Sequence, residues 1–141
     1  MKVRDYMTED VVFANLRDGL HQTLTRMRER GIRHMPVIGD DGALTGIVSD
    51  RDLRRPDFVD PDTNLTRPFA LDNSVTVAHA MTRDPSTVAP DAPLRVALDL
   101  FIERHFGALP VVTDGEVVGI LSTVDLLRAF RDHLERPSQA G

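Results

Sequence analysis

The sequence predicts an α+β protein: two βαββα copies packed sheet-to-sheet about a pseudo-twofold axis. Three observations carry this prediction. Landmarks recur at a nearly constant shift, each half shows the same order of apolar patterns, and one copy alone is too small to cover its own sheet. Met7-Thr8 recurs as Met81-Thr82, and Pro36-Val37 as Pro110-Val111, each pair 74 positions apart. Gly46-Ile47, Ser49, Asp52 and Leu53 recur as Gly119-Ile120, Ser122, Asp125 and Leu126, 73 apart. The slip of one falls where Asp40-Asp41-Gly42 faces Asp114-Gly115. Both are turn sequences, and turns absorb length changes most easily.

The elements follow in order. The first copy spans residues 1–55 and the second 77–134, with a connector at 56–76 that holds Pro56, Pro61 and Pro68, and a frayed tail at 135–141. Each copy opens with a short amphipathic segment ending at Met-Thr, then an extended stretch, Val11 to Ala14 or Thr87 to Ala89. Leu20, Leu24 and Met27 stand at i, i+4, i+7 with Arg26, Arg28, Glu29 and Arg30 beside them, which predicts an amphipathic helix. Leu94, Ala97, Leu98, Phe101 and Ile102 repeat that stripe, and Pro93 suits a first helical turn. Val96 and Leu100 widen the second stripe, so this helix is expected to be covered on more than one side. A hairpin follows in each copy: Met35 to Ile38 with Leu44 to Ser49, and Leu109 to Thr113 with Val117 to Ser122. Each hairpin ends in a serine that begins a further helix, the second running through Leu126, Leu127, Phe130 and Leu134. Apolar helix positions belong by default to the core, with self-association as the other reading.

Composition removes several function classes. With no cysteine there is no disulfide scaffold, thiolate catalysis or cysteine zinc site. A formal charge of -5 argues against nucleic acid, and with no Trp and one Tyr there is little for bases to stack on. No apolar run approaches the ~20 residues that cross a bilayer. The opening Met1-Lys2-Val3-Arg4-Asp5 has an acid where a signal peptide would carry its apolar stretch, so a cytoplasmic protein is expected. No phosphate loop, nucleophile elbow or His-Glu-x-x-His helix occurs, which predicts a protein that is not an enzyme. His21, His34, His79, His105 and His133 lack metal-ligand spacing, so no metal is expected.

Gly46-Ile47-Val48-Ser49-Asp50-Arg51-Asp52-Leu53 and Gly119-Ile120-Leu121-Ser122-Thr123-Val124-Asp125-Leu126 resemble the closing motif of cystathionine-β-synthase (CBS) domains. Arg33-His34-Met35-Pro36-Val37 and Ala108-Leu109-Pro110-Val111-Val112 are similar to the strand before it, and the Met-Thr pairs to the usual start. A tandem pair of this kind is a Bateman module. The resemblance implies regulatory binding of an adenosine ligand (AMP, ADP, ATP or S-adenosylmethionine) in clefts shared between the repeats. It also implies modules paired as homodimers into a four-repeat disc. With no effector domain on the chain, output is expected to pass to a separate protein.

The residues give these clefts a chemistry. A glycine before the last strand lets a ligand approach the backbone. Ser49 stands where strand becomes helix, so free amides face an anion there. Asp52 offers carboxylate oxygens to ribose hydroxyls, and Arg33, His34 and Arg51 offer positive charge to phosphates. Met35 and Ile47 flank a purine whose edge is read by the backbone before Pro36. Sharing of the cleft adds Thr82 and Thr87. The second cleft has Ala108, Leu109, Pro110, Ile120, Ser122 and Asp125, facing Thr8 and Phe13. It has Gly107, Ala108 and Val124 where the first has Arg33, His34 and Arg51, so a phosphate-bearing ligand is expected mainly in the first. Ser-x-x-Asp at a helix start is equally a capping box, and the two roles are compatible. A ligand-free, homo-oligomerising scaffold and an S-adenosylmethionine sensor are the alternative readings.

Overall fold

The computed structural model describes residues 1–54 and 75–137. Most of the connector and the end of the tail lie outside the described residues. The chain opens with a 3-10 turn at Val3–Asp5, then forms β1 (Ala14–Asn15), α1 (Leu20–Arg30), β2 (His34–Ile38), β3 (Leu44–Ser49) and α2 (Asp50–Leu53). After the connector come α3 (Val77–Ala80), β4 (Thr82–Arg83), α4 (Leu94–Arg104), β5 (Ala108–Thr113), β6 (Glu116–Ser122) and α5 (Thr123–Glu135). The duplicated α+β plan is therefore present. The predicted extended stretches are shorter than expected: β1 begins at Ala14, and Thr87 to Ala89 contributes a single bridge at Val88.

Two compact units result, and they do not divide the chain where the sequence copies do. One comprises Val12–Pro85; the other comprises Met1–Val11 with Ser86–Gly141. Each opening segment is thus exchanged: residues of the first copy's opening complete the second copy's body, and the reverse. Val12–Pro85 contains a four-stranded sheet in the order β1-β2-β3-β4. There β1 runs parallel to β2 (Ala14 opposite Val37), β3 antiparallel to β2, and β4 antiparallel to β3 (Thr82 opposite Ile47). The other unit repeats this register on its β5–β6 hairpin, with its two outer strands reduced to isolated bridges: Val88 parallel to Val111, and Thr8 antiparallel to Ile120.

Strand alternation sorts side chains by face. Met35, Val37 and Val48 enter one core with Leu20, Leu24, Met27, Leu53, Val77 and Ala80. Leu109, Val111 and Leu121 enter the other with Val3, Leu94, Ala97, Phe101, Leu126 and Ala129. Thr23, fully buried on α1, returns its hydroxyl to the Gly19 carbonyl at 2.8 Å, so no polar group is stranded there.

The expected core role of the second-copy helices holds only in part. Leu94, Ala97 and Phe101 are buried on α4, while Val96, Leu98 and Ile102 are exposed. On α5, Leu126 is buried, while Leu127, Phe130 and Leu134 are exposed. Adjacent positions on a helix are about 100° apart, so Leu126 and Leu127 cannot serve one face.

A candidate ligand site on one sheet face

One face of the Val12–Pro85 sheet, opposite its core, gathers half of the ten predicted first-cleft residues. His34 pairs with Ser49, Pro36 with Ile47, and Ile47 in turn with Thr82, so these five share one face. Met35 and Leu109 were expected beside the ligand, but strand alternation turns them to the cores, where they are 0% and 1% exposed. Pro36 is also fully buried. Thr87 belongs to the unit that contains Ser86–Gly141, and Phe13 to the Val12–Pro85 unit. Thr8 is paired with Ile120 in the same unit as Ser122 and Asp125.

Backbone and side chain cooperate where β3 becomes α2. The Asp50 amide donates to the Arg33 carbonyl at 2.9 Å, holding the start of β2 against the helix N-terminus. Ser49 and Asp52 form the capping box: the Ser49 amide donates to Asp52 Oδ2 at 2.9 Å, and the Asp52 amide to Ser49 Oγ at 3.0 Å. Capping therefore occupies one carboxylate oxygen. Asp52 Oδ1 accepts no hydrogen bond among the described residues. Arg33 and Arg51 are exposed and make no ion pair among them either. His34 is held below the ordinary histidine range chiefly by burial, with Arg33 acting in the same direction and Asp50 and Asp52 against it.

The equivalent position in the other unit is chemically filled. Asp125 is only 2% exposed; its Oδ2 accepts from the Ser122 amide at 2.8 Å and from the Ser122 hydroxyl at 3.0 Å. Its Oδ1 meets Arg128 Nη1 at 3.3 Å. Both oxygens are engaged, and Gly107, Ala108 and Val124 supply no cation nearby. The closing glycines also have a different task from the one expected. A Cβ on Gly46 would stand 2.6 Å from Met81 Sδ and 2.7 Å from the Thr82 carbonyl oxygen. One on Gly119 would meet Met7 Sδ at 2.8 Å and the Thr8 carbonyl at 3.1 Å. The space is taken by the exchanged Met-Thr segment, not left for a ligand. Sequence reading missed this coupling of the two landmarks, although the recurrence of both Met-Thr and Gly-Ile in each copy was its signal.

Such a duplicated strand-to-helix motif is the mark of a CBS pair, and the chain belongs to that family: residues 3–58 and 77–132 each match the CBS domain. It is similar to the A-adding tRNA nucleotidyltransferase of Aquifex aeolicus, at 33% identity across 96% of this chain and 15% of that enzyme. It is similar also to the uncharacterised protein YlbB of Bacillus subtilis, at 30% identity across 89% of this chain and 79% of that one. Among solved structures, CBSX2 in complex with AMP aligns with a TM-score of 0.77 and 29% identity, covering 95% of this chain and 98% of that chain; CBSX2 comes from Arabidopsis thaliana. No helix among the described residues is long and apolar enough to cross a membrane, and no cluster of metal-ligating side chains occurs among them.

Proposed function

We propose that this chain is a regulatory, non-catalytic module that binds an adenosine nucleotide (AMP, ADP or ATP) through the motif of its first repeat. One observation carries the choice of site: among the described residues Asp52 Oδ1 accepts no hydrogen bond, in a motif that also carries Arg33, His34 and Arg51, whereas both oxygens of Asp125 are engaged. Asp52 Oδ1 accepts a ribose hydroxyl, the α2 amides and cations receive phosphate, and Ile47, Thr82 and the strand backbone border the base. The AMP complex of CBSX2 supports this ligand class.

Titration calorimetry tests it. Wild type is expected to bind AMP, Asp52→Ala to lose affinity by roughly tenfold or more, as for a hydrogen bond to a charged group, and Asp125→Ala to change little. Equal losses would reject the asymmetric site, and no binding by wild type would reject the ligand class. The second motif lacks counterparts of Arg33, His34 and Arg51, and its Asp125 is already engaged by Arg128, which supports a less charged compound of the S-adenosylmethionine type there.

The module works by linkage: ligand shifts an equilibrium by its differential affinity for two states. Output passes to a separate effector protein, from a cytoplasmic homodimer arranged as a four-repeat disc. Neither nucleic acid nor a membrane is a partner.

A further inference from the structure

We propose that Met7 and Met81 are paired oxidation sites, at which a peroxide converts the thioether to a sulfoxide and so loosens each exchanged outer strand from its hairpin. This holds whatever ligand the module takes. The chain has no cysteine, so no thiol competes, and its five methionines are its most readily oxidised groups. Met27 and Met35 are sealed in a core at 1% and 0% exposure. Met1 is 46% exposed and belongs to neither core. Met7 and Met81 alone combine access with packing: both are half-buried, Met7 against one core and Met81 against the other.

Each sulfur lies against a position kept open by glycine. Met81 Sδ and the Thr82 carbonyl oxygen stand 2.6 and 2.7 Å from the point a Cβ on Gly46 would occupy. Met7 Sδ and the Thr8 carbonyl oxygen stand 2.8 and 3.1 Å from the corresponding point on Gly119. A flexible, unbranched thioether fits this gap. A sulfoxide does not: its oxygen adds volume to a filled space and brings a second negative dipole end beside the strand's own carbonyl. Oxidation is a closed two-electron step. The sulfur lone pair attacks one oxygen of hydrogen peroxide, and the S–O bond forms as the O–O bond breaks. The transferred hydroxyl gives its proton to the departing hydroxide, which leaves as water. Sulfur is oxidised and peroxide reduced, and a methionine sulfoxide reductase restores the thioether.

The pairing of Thr8 is where the change is felt. Its amide donates to the Ile120 carbonyl at 2.8 Å, and its carbonyl accepts from the Ile120 amide at 2.9 Å. Among the described residues this isolated bridge is all that pairs the outer strand with β6. Crowding at Met7, the preceding residue, acts on those two bonds. Upstream, Val3 is fully buried and its amide donates to the Ala92 carbonyl at 3.0 Å, so the segment stays anchored while Thr8 separates. In the other unit, Met81 holds the same place before Thr82, which pairs with Ile47. The same side chain thus stands at the same joint in both repeats, and one reagent acts on both.

Hydrogen peroxide treatment of the full chain, read by peptide mass mapping and hydrogen exchange, tests this. Met7 and Met81 are expected to become sulfoxides while Met27 and Met35 stay reduced until the protein is unfolded. Exchange of the Ile120 amide should quicken by roughly tenfold or more, the size of effect that overpacking a filled site produces. Treatment with a methionine sulfoxide reductase should return it to the starting rate. In the double variant Met7→Leu with Met81→Leu, Met1 is still oxidised, but exchange at Ile120 should not respond to peroxide. Should that variant fold poorly, the cycle of oxidation and repair on wild type decides alone. Oxidation of Met27 or Met35 as fast as Met7, or a Met7 sulfoxide with unchanged exchange at Ile120, would overturn the proposal.

Discussion

At the scale of single residues, the proposed site makes His34 a coupling of fold to ligand through one proton. Its imidazole lies opposite Ser49, with Arg33, Asp50 and Asp52 as its charged neighbours, and burial keeps it neutral below the usual titration point. In the free protein the unfolded chain binds that proton more readily. Stability is therefore complete above about pH 6.5 and declines as pH falls toward the lowered native value. A bound phosphate favours the imidazolium, so affinity moves the other way and rises as pH falls. Thermal melts from pH 5 to 8, with and without AMP, are expected to show both slopes. In His34→Gln both should flatten, and unchanged slopes would assign the titration to another group.

At the scale of elements, the decisive contact is the approach of β4 to β3. Gly46 accepts the Met81 thioether and the Thr82 carbonyl where any Cβ would collide. Gly46→Ala is expected to destabilise by about 1–3 kcal/mol in urea melts, the range for overpacking a filled site. Gly119→Ala should cost less, since its nearest contacts are longer and Met7 Sδ ends a flexible side chain. Equal midpoints for both variants and wild type would show that the strands yield freely. Period and turn chemistry made most elements legible: the α1 stripe, both hairpins and both serine-to-helix junctions stand where the pattern puts them. Two features were not legible. Helix α5 carries a broad apolar arc, so periodicity alone does not say which part of it turns inward. Met-Thr fixes where a copy begins in sequence, yet the pairing of Thr8 with Ile120 spans the whole chain, and no local pattern encodes so distant a partner. The candidate site residues were chosen by type; their sorting by face, with Met35 and Leu109 turned into the cores, needed the register.

At the scale of the whole molecule, the exchanged segments make the sequence copies poor predictors of what folds alone. A fragment of residues 12–85 contains every strand of its sheet and is expected to fold. A fragment of residues 77–135 matches the second copy but lacks Val3, Met7 and Thr8, which supply core packing and a strand partner. It is expected to remain largely unfolded, and adding residues 1–11 as a peptide should restore protection of the Ile120 amide, measured by hydrogen exchange. Cooperative folding of 77–135 without the peptide would contradict this.

That topology also orders events on the ribosome. The Val12–Pro85 unit is complete once Pro85 has emerged, and domains fold as units in the order of synthesis. Residues 1–11, made before the unit they complete, must wait without their strand partner until Ile120 has been added. This segment is thus placed late, and Val3, Tyr6 and Met7 lack their packing partners until then. Tyr6 closes the arrangement when its hydroxyl donates to Asp132 on α5 at 2.9 Å, a contact that spans 126 positions of sequence.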